Sequence, residues 1–177
     1  MSIEIFDNYL SKEDFGNIKN IFVDNEKFPW HYTPGIAYPD EIKQVDKFQF
    51  FNLMYRNDIG IKSSYYPDLM PLFNKINPKE ILRVKVNLGT RTSTHIEGGM
   101  HIDTKMKLTT AIFYLNTNNG FTVFESGERV DSIENRLVTF DSSIMHSGFS
   151  QTDSNIRVVL NLNYIKNNYS EEGVSRG

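Results

Sequence analysis

The sequence predicts a mainly β domain, a sandwich or barrel of short strands with helices packed outside it. Two observations support this prediction. From about residue 81 to residue 165, short runs of strand-forming residues follow one another with turn signals between them. The chain also has the size and make-up of one soluble domain, with 177 residues, 39% hydrophobic and 23% charged. We therefore expect a single domain over residues 1–177.

Composition limits the classes of partner. The formal net charge of −3, from 19 basic and 22 acidic residues, does not favour a nucleic acid or an anionic membrane as the main partner. The chain has no cysteine, so disulfides and thiolate metal sites are excluded, and a reducing compartment fits. The first residues do not resemble a signal peptide, and no apolar run reaches membrane-spanning length. We expect a cytoplasmic protein without a membrane partner.

Residues 1–80 are expected to form a supporting region of helices and a strand. Ser11 followed by Asp14 is typical of a helix start, and Phe15, Ile18 and Phe22 then fall on one helical face. A strand is predicted at residues 48–53. Apolar residues at helical spacing predict a second helix with a proline in its first turn, ending at an Asn-Pro pair. The residues of this second helix are Leu69, Pro71, Leu72, Phe73, Ile76, Asn77 and Pro78.

Residues 81–167 are expected to form the β core, and the polar tail at 168–177 is expected to fray. In the first strand the apolar residues at even positions share one face, while Arg83, Lys85 and Asn87 share the other. The strands are predicted at residues 81–88, 108–116, 121–125, 128–131, 137–140, 145–149 and 156–165.

Three side chains have the composition of a metal site. His101 and Asp103 are two residues apart, so on a strand they point to the same side, and His146 follows on a later strand. Two imidazoles and one carboxylate form the triad that binds non-heme Fe(II) and leaves other positions open. Zinc hydrolases use a similar set, so zinc is the competing metal. Taken singly, each of the three residues also fits an ordinary structural role.

Arg157 extends this pattern. If the polar stretch at residues 150–155 is a hairpin loop, His146 and Arg157 face each other across two paired strands. Val159 and Asn161 share the face of Arg157 by alternation. A guanidinium among apolar residues is costly without an anionic partner, so we expect that partner to be a ligand, with a structural salt bridge as the alternative.

His101-Ile102-Asp103, His146 and Arg157 within Arg-Val-Val-Leu-Asn-Leu-Asn-Tyr resemble the Fe(II)/2-oxoglutarate-dependent dioxygenase superfamily. The similarity is greatest to its prolyl-hydroxylase-like branch and to small members carried by tailed phages of marine cyanobacteria. The resemblance implies a double-stranded β-helix, a cupin-like jelly roll, with supporting N-terminal helices. It implies that the triad holds Fe(II), that Arg157 binds the distal carboxylate of 2-oxoglutarate, and that O2 is consumed, with ascorbate as a candidate accessory.

The resemblance also assigns roles to three further residues. Tyr114 matches a tyrosine that helps to bind the 2-oxoglutarate carboxylate, although a packed aromatic core residue is the alternative. Asn87 stands where relatives often have a tyrosine. Asn87 and Asn161 either bond the co-substrate or a metal-bound water, or are structural amides paired with the backbone.

The implied reaction couples decarboxylation of 2-oxoglutarate to succinate and CO2 with hydroxylation of a C–H bond. The expected prime substrate, unidentified from the sequence, is a protein or amino-acid side chain. A nucleic-acid base oxygenase is an alternative, but that branch usually has a second arginine at the position of Asn163, and the acidic net charge opposes it. A non-catalytic jelly roll that retains a metal site is the other alternative.

Substrate contacts are expected in the loops around the mouth of the site. Candidates are residues 30–32 and the glycine-containing stretch 91–100, which leads into His101 and could act as a lid. His95 in that stretch either contacts substrate or is a solvated loop residue. Ile112 and Val159 are expected to provide a dry wall. A basic rim for an acidic substrate, or else a plain solvated surface, is predicted for Arg83, Lys85, Arg91, Lys105 and Lys107.

Overall fold

The computed structural model describes residues 2–36 and 47–167, so the predicted frayed tail at 168–177 lies outside the described residues. A 3₁₀ turn at Tyr66–Leu69 leads into the second helix. In chain order the elements are β1 (Glu4–Phe6), α1 (Lys12–Phe22), β2 (His31–Thr33), β3 (Gln49–Arg56), β4 (Gly60–Ile61), α2 (Met70–Ile76), β5 (Glu80–Thr90), β6 (Thr109–Tyr114), β7 (Phe121–Phe124), β8 (Arg129–Asp131), β9 (Arg136–Asp141), β10 (His146–Phe149) and β11 (Ile156–Ile165).

Helix α1 begins where the sequence predicts it. The Ser11 side chain caps the helix by accepting a hydrogen bond from the Asp14 backbone N–H at 3.1 Å. Phe15, Ile18 and Phe22 are buried on one face, as expected from their helical spacing. The helix therefore lies with this face against the core.

Helix α2 also matches its predicted limits. Pro71 lies in its first turn, where a missing N–H costs nothing, and Asn77 ends it in the left-handed conformation with φ of 50°. Leu72 and Phe73 are buried. Neither α1 nor α2, the α-helices of the described residues, has the length and apolar character needed to cross a membrane.

The strands form two antiparallel sheets. The larger sheet has the order β1-β9-β6-β11-β5-β3-β2, with β4 paired to β3, and the smaller sheet has the order β10-β7-β8. The mainly β prediction is thus confirmed. Strands β1, β2 and β4 were not predicted, because segments of two or three residues are too short to show alternation. Residues 1–80 contribute four strands to the larger sheet.

The predicted hairpin between His146 and Arg157 is wrong. Strand β10 pairs with β7 in the smaller sheet, whereas β11 lies between β5 and β6 in the larger one. The polar stretch at 150–155 crosses from one sheet to the other instead of turning back within a sheet. Its Gln151 is fully buried, and its Thr152 N–H bonds the Asn119 side chain at 2.8 Å. A polar stretch of this length is compatible with either connection, so composition alone did not distinguish them.

The two faces of the larger sheet bury different groups. The helix-side face of β5 and β11 is apolar and packs with α1 and α2 in the main core. A second apolar cluster lies on the opposite side, and it contains residues of both sheets. Its buried members are Ile112, Tyr114, Phe124, Val130, Val138, Phe140 and Val159. The alternation predicted for β5 is confirmed, with Val84 and Val86 in the main core.

Candidate metal and co-substrate site

A cavity of about 160 Å³ is lined by residues of both sheets. This volume far exceeds the roughly 10–15 Å³ that one water molecule needs. All three predicted metal ligands line it, and so does Arg157. Ile112 and Val159 form part of its wall, as expected. The cavity therefore brings together His101 and Asp103, which share one segment, with His146 of β10 and Arg157 of β11.

The three candidate ligands converge. One ligand atom from each of His101, Asp103 and His146 lies within 4.8 Å of the other two. The expectation that His101 and Asp103 lie on a regular strand is wrong, because His101 makes only an isolated bridge to His146. In this bridge the N–H of each histidine donates to the carbonyl of the other, at 3.0 and 2.9 Å. These two main-chain hydrogen bonds, and not the pairing of regular strands, therefore hold the two imidazoles side by side.

Both imidazoles present the same nitrogen to the cavity. Nδ1 of His101 lies 2.9 Å from the Gly99 carbonyl, and Nδ1 of His146 lies 3.1 Å from the Ile144 carbonyl. A carbonyl can only accept, so each Nδ1 carries a proton, and Nε2 is the nitrogen that is left to bind a metal. Burial lowers the pKa of His146, which outweighs the opposing charge of Asp103. His146 is thus the neutral imidazole that a metal requires.

Asp103 is oriented by a small polar network that the sequence argument missed. Its Oδ2 accepts hydrogen bonds from Thr110 Oγ1 at 2.7 Å and Asn163 Nδ2 at 3.0 Å. The Thr110 hydroxyl also forms a hydrogen bond with Ser142 Oγ at 2.9 Å. Burial raises the pKa of Asp103, but the favourable interactions with His146 and Arg83 and these hydrogen bonds outweigh it, so the pKa is lowered. The ligand atom is held as a carboxylate.

The donor set fits a divalent transition metal. Two imidazoles and one carboxylate, with no cysteine in the chain, match the triad that binds non-heme Fe(II) and leaves coordination positions for other ligands. The cavity in front of the three donors gives room for such ligands.

Arg157 is partly buried and has no acidic partner in the part of the chain that the structure describes. Its Nε donates to Ser132 Oγ at 2.8 Å, and its Nη2 lies 3.4 Å from Thr122 Oγ1. Within residues 2–36 and 47–167, none of the ion pairs includes Arg157. Burial lowers the pKa of the guanidinium, against a smaller opposing effect of Tyr114. Hydrogen bonds to two hydroxyls do not neutralise the charge of Arg157. The alternative prediction, a structural salt bridge of Arg157, is therefore not met by the described residues.

Tyr114 lies behind Arg157 and not on the cavity surface. Its side chain is fully buried in the second apolar cluster, and its hydroxyl donates to Thr122 Oγ1 at 2.8 Å. The guanidinium carbon of Arg157 lies 5.6 Å from the centre of its ring. Tyr114 thus has the core position that was one alternative, and a direct contact with co-substrate stays a prediction. Thr122, which lines the cavity, connects Tyr114 with Arg157.

Gly120 leaves the space that Arg157 occupies. A Cβ atom at this position would lie 2.8 Å from Cδ of Arg157 and 3.0 Å from the Phe149 carbonyl oxygen. Both distances are too short for a normal contact. Only glycine fits here without displacing the guanidinium.

Asn87 and Asn161 line the cavity from neighbouring strands. The Oδ1 atom of each is buried and has no hydrogen-bond partner among the described residues. A buried amide without a partner is uncommon, which favours a ligand contact over a structural amide.

Of the basic residues considered for a rim, two line the cavity. Arg83 and Lys85 lie on its β5 wall, and the other three, Arg91, Lys105 and Lys107, are exposed and do not line it. Lys85 Nζ lies 4.7 Å from the centre of the Phe51 ring. Burial and the neighbouring Arg83 lower the pKa of Lys85 to about 8, against the opposing effect of Asp103. These two residues are therefore inside the site, not on a solvated rim.

The candidate substrate loops are held by the fold. His95 is exposed, and its Nδ1 lies 2.6 Å from the Ser150 carbonyl, so it does not line the cavity. The stretch 91–100 is joined to β10 through the Gly98 N–H and the Gly148 carbonyl at 2.8 Å, and its Ile96 lines the cavity. Residues 30–32 do not line the cavity. A lid role of residues 91–100 stays a prediction.

Solved structures match nearly the whole chain. A 2OG-Fe(II) oxygenase family oxidoreductase from Burkholderia pseudomallei matches with a TM-score of 0.67 and 11% identity, over 94% of this chain and 86% of that one. The fold is the jelly roll of the 2OG-Fe(II) oxygenases. The predicted jelly roll is thus confirmed. No protein-family model matches the chain, and no curated protein matches its sequence.

Two further matches are structures of complexes with ligands. A Trichoplax adhaerens prolyl hydroxylase in complex with a hypoxia inducible factor peptide matches with a TM-score of 0.62 and 13% identity, over 93% of this chain and 83% of that one. The epimerase SnoN from nogalamycin biosynthesis, in complex with Fe3+, alpha ketoglutarate and nogalamycin RO, matches with a TM-score of 0.63 and 10% identity, over 93% and 78%. The resemblance to phage members stays a prediction.

Proposed function

We propose that this protein is an Fe(II)/2-oxoglutarate-dependent oxygenase that hydroxylates a C–H bond in a protein or amino-acid side chain. One observation carries the proposal: a cavity has a convergent His-Asp-His triad and a partly buried arginine that has no acidic partner among residues 2–36 and 47–167. A triad alone fits several metals. The unpaired guanidinium adds a requirement for an anion, and the distal carboxylate of 2-oxoglutarate meets that requirement.

The residues have separate tasks in this reaction. When bound, Fe(II) and 2-oxoglutarate supply the O2-dependent oxidation, with succinate and CO2 as the co-products. His101, Asp103 and His146 hold the metal through three positions and leave the others free. Arg157, fixed by Ser132, aims the co-substrate carboxylate. The apolar wall of Ile112 and Val159 keeps bulk water from the reacting centre.

The structural likenesses support the proposal without fixing the substrate. The Trichoplax protein is described with a peptide, and SnoN with alpha ketoglutarate and a small molecule. Ascorbate as an accessory and a cytoplasmic location stay predictions.

The alternatives gain no support from the site. In the nucleic-acid branch a second arginine is expected at the position of Asn163, and here this amide donates to Asp103. The net charge of −3 also opposes strong electrostatic binding of DNA or RNA. A non-catalytic module does not require a partly buried, unpaired Arg157 beside an intact triad.

Anaerobic calorimetry tests the proposal directly. We expect Fe(II) to bind the purified protein and 2-oxoglutarate to bind only after the metal, because Arg157 would hold one carboxylate and the metal would be needed to hold the other end. Under air, the loaded protein should form succinate slowly even without a prime substrate. Binding of zinc but not of 2-oxoglutarate, or the absence of succinate, would contradict the proposal.

A further inference from the structure

The cavity has a second cationic end that the reaction described above does not use. Arg83 and Lys85 line it from β5, on the same face as Asn87. In the sheet register Lys85 lies opposite Asn161, whereas Arg157 lies opposite Gly89. Four residues of strand, roughly 13 Å, therefore separate the two ends along the sheet.

The two cationic ends are also turned toward different neighbours. The guanidinium of Arg157 is tied to Ser132 and Thr122, beside the smaller sheet. The ammonium of Lys85 instead lies over the ring of Phe51 on β3, the strand next to β5 on the side away from β11. One 2-oxoglutarate held by Arg157 and the metal does not also satisfy Lys85.

Neither cation at this second end forms an ion pair among the described residues, and the one carboxylate that acts on both of them, Asp103, is a candidate metal ligand. Within residues 2–36 and 47–167, none of the ion pairs includes Arg83 or Lys85. Nε of Arg83 is buried and has no hydrogen-bond partner. Lys85 has its Phe51 contact, which does not neutralise its charge. Buried donors of this kind are normally paired, so they point to a ligand.

Charge balance supports the same conclusion. Among the described residues that line the cavity, Asp103 is the single carboxylate and Arg83, Lys85 and Arg157 are the cations. The charges of a divalent metal and of a 2-oxoglutarate dianion cancel. The loaded site therefore keeps an excess of positive charge, located at Arg83 and Lys85, that an anionic substrate would compensate.

Resting on the proposed oxygenase function, we infer that the prime substrate carries a carboxylate that Arg83 and Lys85 bind while the neighbouring C–H bond faces the metal. Arginine matches a carboxylate with paired donors, and lysine adds a compact charge. The unpaired Oδ1 of Asn161, opposite Lys85, is placed to accept an N–H from the same substrate. The substrate class is thus an amino acid, or an acidic residue in a peptide.

Matched pairs of compounds test this assignment on the protein loaded with Fe(II) and 2-oxoglutarate. The probes are L-aspartate against its side-chain amide, L-asparagine, and against its α-amide, L-isoasparagine. The corresponding glutamate compounds and the N-acetylated α-amides of aspartate, asparagine, glutamate and glutamine complete the set. Stimulation of succinate formation and oxidised product by mass spectrometry are the readouts. We expect the acid of at least one pair to be favoured by tenfold or more, since charge-assisted bonds are at stake. The free and blocked compounds distinguish an amino acid from a peptide residue.

Variants locate the effect. Arg83→Gln and Lys85→Met should each raise KM for the preferred acid by about tenfold to hundredfold while the dissociation constant of 2-oxoglutarate stays unchanged. Arg56→Gln and Lys12→Met remove the same charges at exposed positions and should change neither value. Thermal unfolding checks that each variant folds.

The outcomes separate the two proposals. If neither metal nor 2-oxoglutarate binds, the oxygenase function fails, and this inference fails with it. If both bind but every acid and amide pair behaves alike, or if both variants leave KM unchanged, only the carboxylate assignment is overturned. A loss of 2-oxoglutarate affinity in Lys85→Met would also overturn it, because Lys85 would then serve the co-substrate.

Discussion

The two faces of strands β5 and β11 differ in polarity and in what they contact. On one face, apolar side chains are buried in the main core against the helices. On the other face, cations and amides line the cavity, several of them without a partner. The first face includes Val84, Val86, Leu88, Val158, Leu160 and Leu162, and the second includes Arg83, Lys85, Asn87, Arg157, Val159 and Asn161.

This difference teaches that one pair of strands separates stability from chemistry by alternation alone. Burial of apolar area on the helix side stabilises the fold. Unpaired polar groups on the cavity side cost stability and are retained for binding. Substitutions on the two faces should therefore have opposite signatures, which the following variants examine.

The largest effect is expected for a metal ligand. Asp103→Asn should abolish Fe(II) binding and succinate formation, because the carboxylate is the one anionic donor of the triad. The melting temperature of the metal-free protein should stay close to that of the parent. Asp131→Asn, which changes an exposed carboxylate paired with Arg129, is the matched control. Full activity in Asp103→Asn would remove this residue from the site.

The next effect concerns the helix-side face. Leu160→Ala should lower the free energy of unfolding by about 2–5 kcal/mol, because Leu160 is fully buried and leaves a cavity. The folded fraction should keep its KM for 2-oxoglutarate. The neighbouring Asn161→Ala should cost much less in denaturant unfolding, since its amide oxygen has no partner to lose. Equal losses in the two variants would contradict the division between faces.

Arg157→Met should weaken 2-oxoglutarate binding without lowering the stability of the fold. We expect the dissociation constant of 2-oxoglutarate to rise about tenfold to hundredfold with the loss of a charge-assisted contact. The free energy of unfolding without ligand should stay unchanged or rise, because an unpaired, partly buried cation is replaced by an apolar chain of similar length. Calorimetry and denaturant unfolding measure the two quantities. A marked loss of stability would instead indicate a structural role for the guanidinium.

A smaller change is expected where one hydroxyl orients a ligand. Thr110→Val keeps the shape of the side chain but removes the hydrogen bond to Asp103. Metal affinity should fall by about tenfold to hundredfold, as for other groups that orient metal ligands. Added Fe(II) should restore succinate formation, which distinguishes weakened binding from a loss of catalysis. Activity that excess metal does not restore would contradict this account.

Much of this division was predictable from the sequence. The period of two in β5 fixed which residues share a face, and the same alternation along β11 grouped Arg157, Val159 and Asn161. The same alternation puts Asn163 on this face, where its amide donates to Asp103, and the sequence analysis did not include it. The residue types of the triad predicted the chemistry because few other roles require that set.

The errors have a common physical origin. The connection after β10 and the irregular backbone at His101 depend on which strands meet in space, and local patterns do not encode that. The roles of Ser132 and Thr122 were missed for the same reason, because their hydroxyls meet Arg157 from a different sheet. Periodicity predicts a face, whereas topology decides what that face meets.

The reciprocal backbone bond between His101 and His146 has a consequence for the life cycle of the protein. Two of the three ligands are held together by main-chain groups, so their arrangement does not depend on an ion to pull separate segments into place. We therefore expect the protein to fold without iron and to bind the proposed metal afterwards. A chelator should remove the ion and leave a folded apoprotein that can bind the metal again. Small zinc domains, in contrast, unfold when their ion is removed.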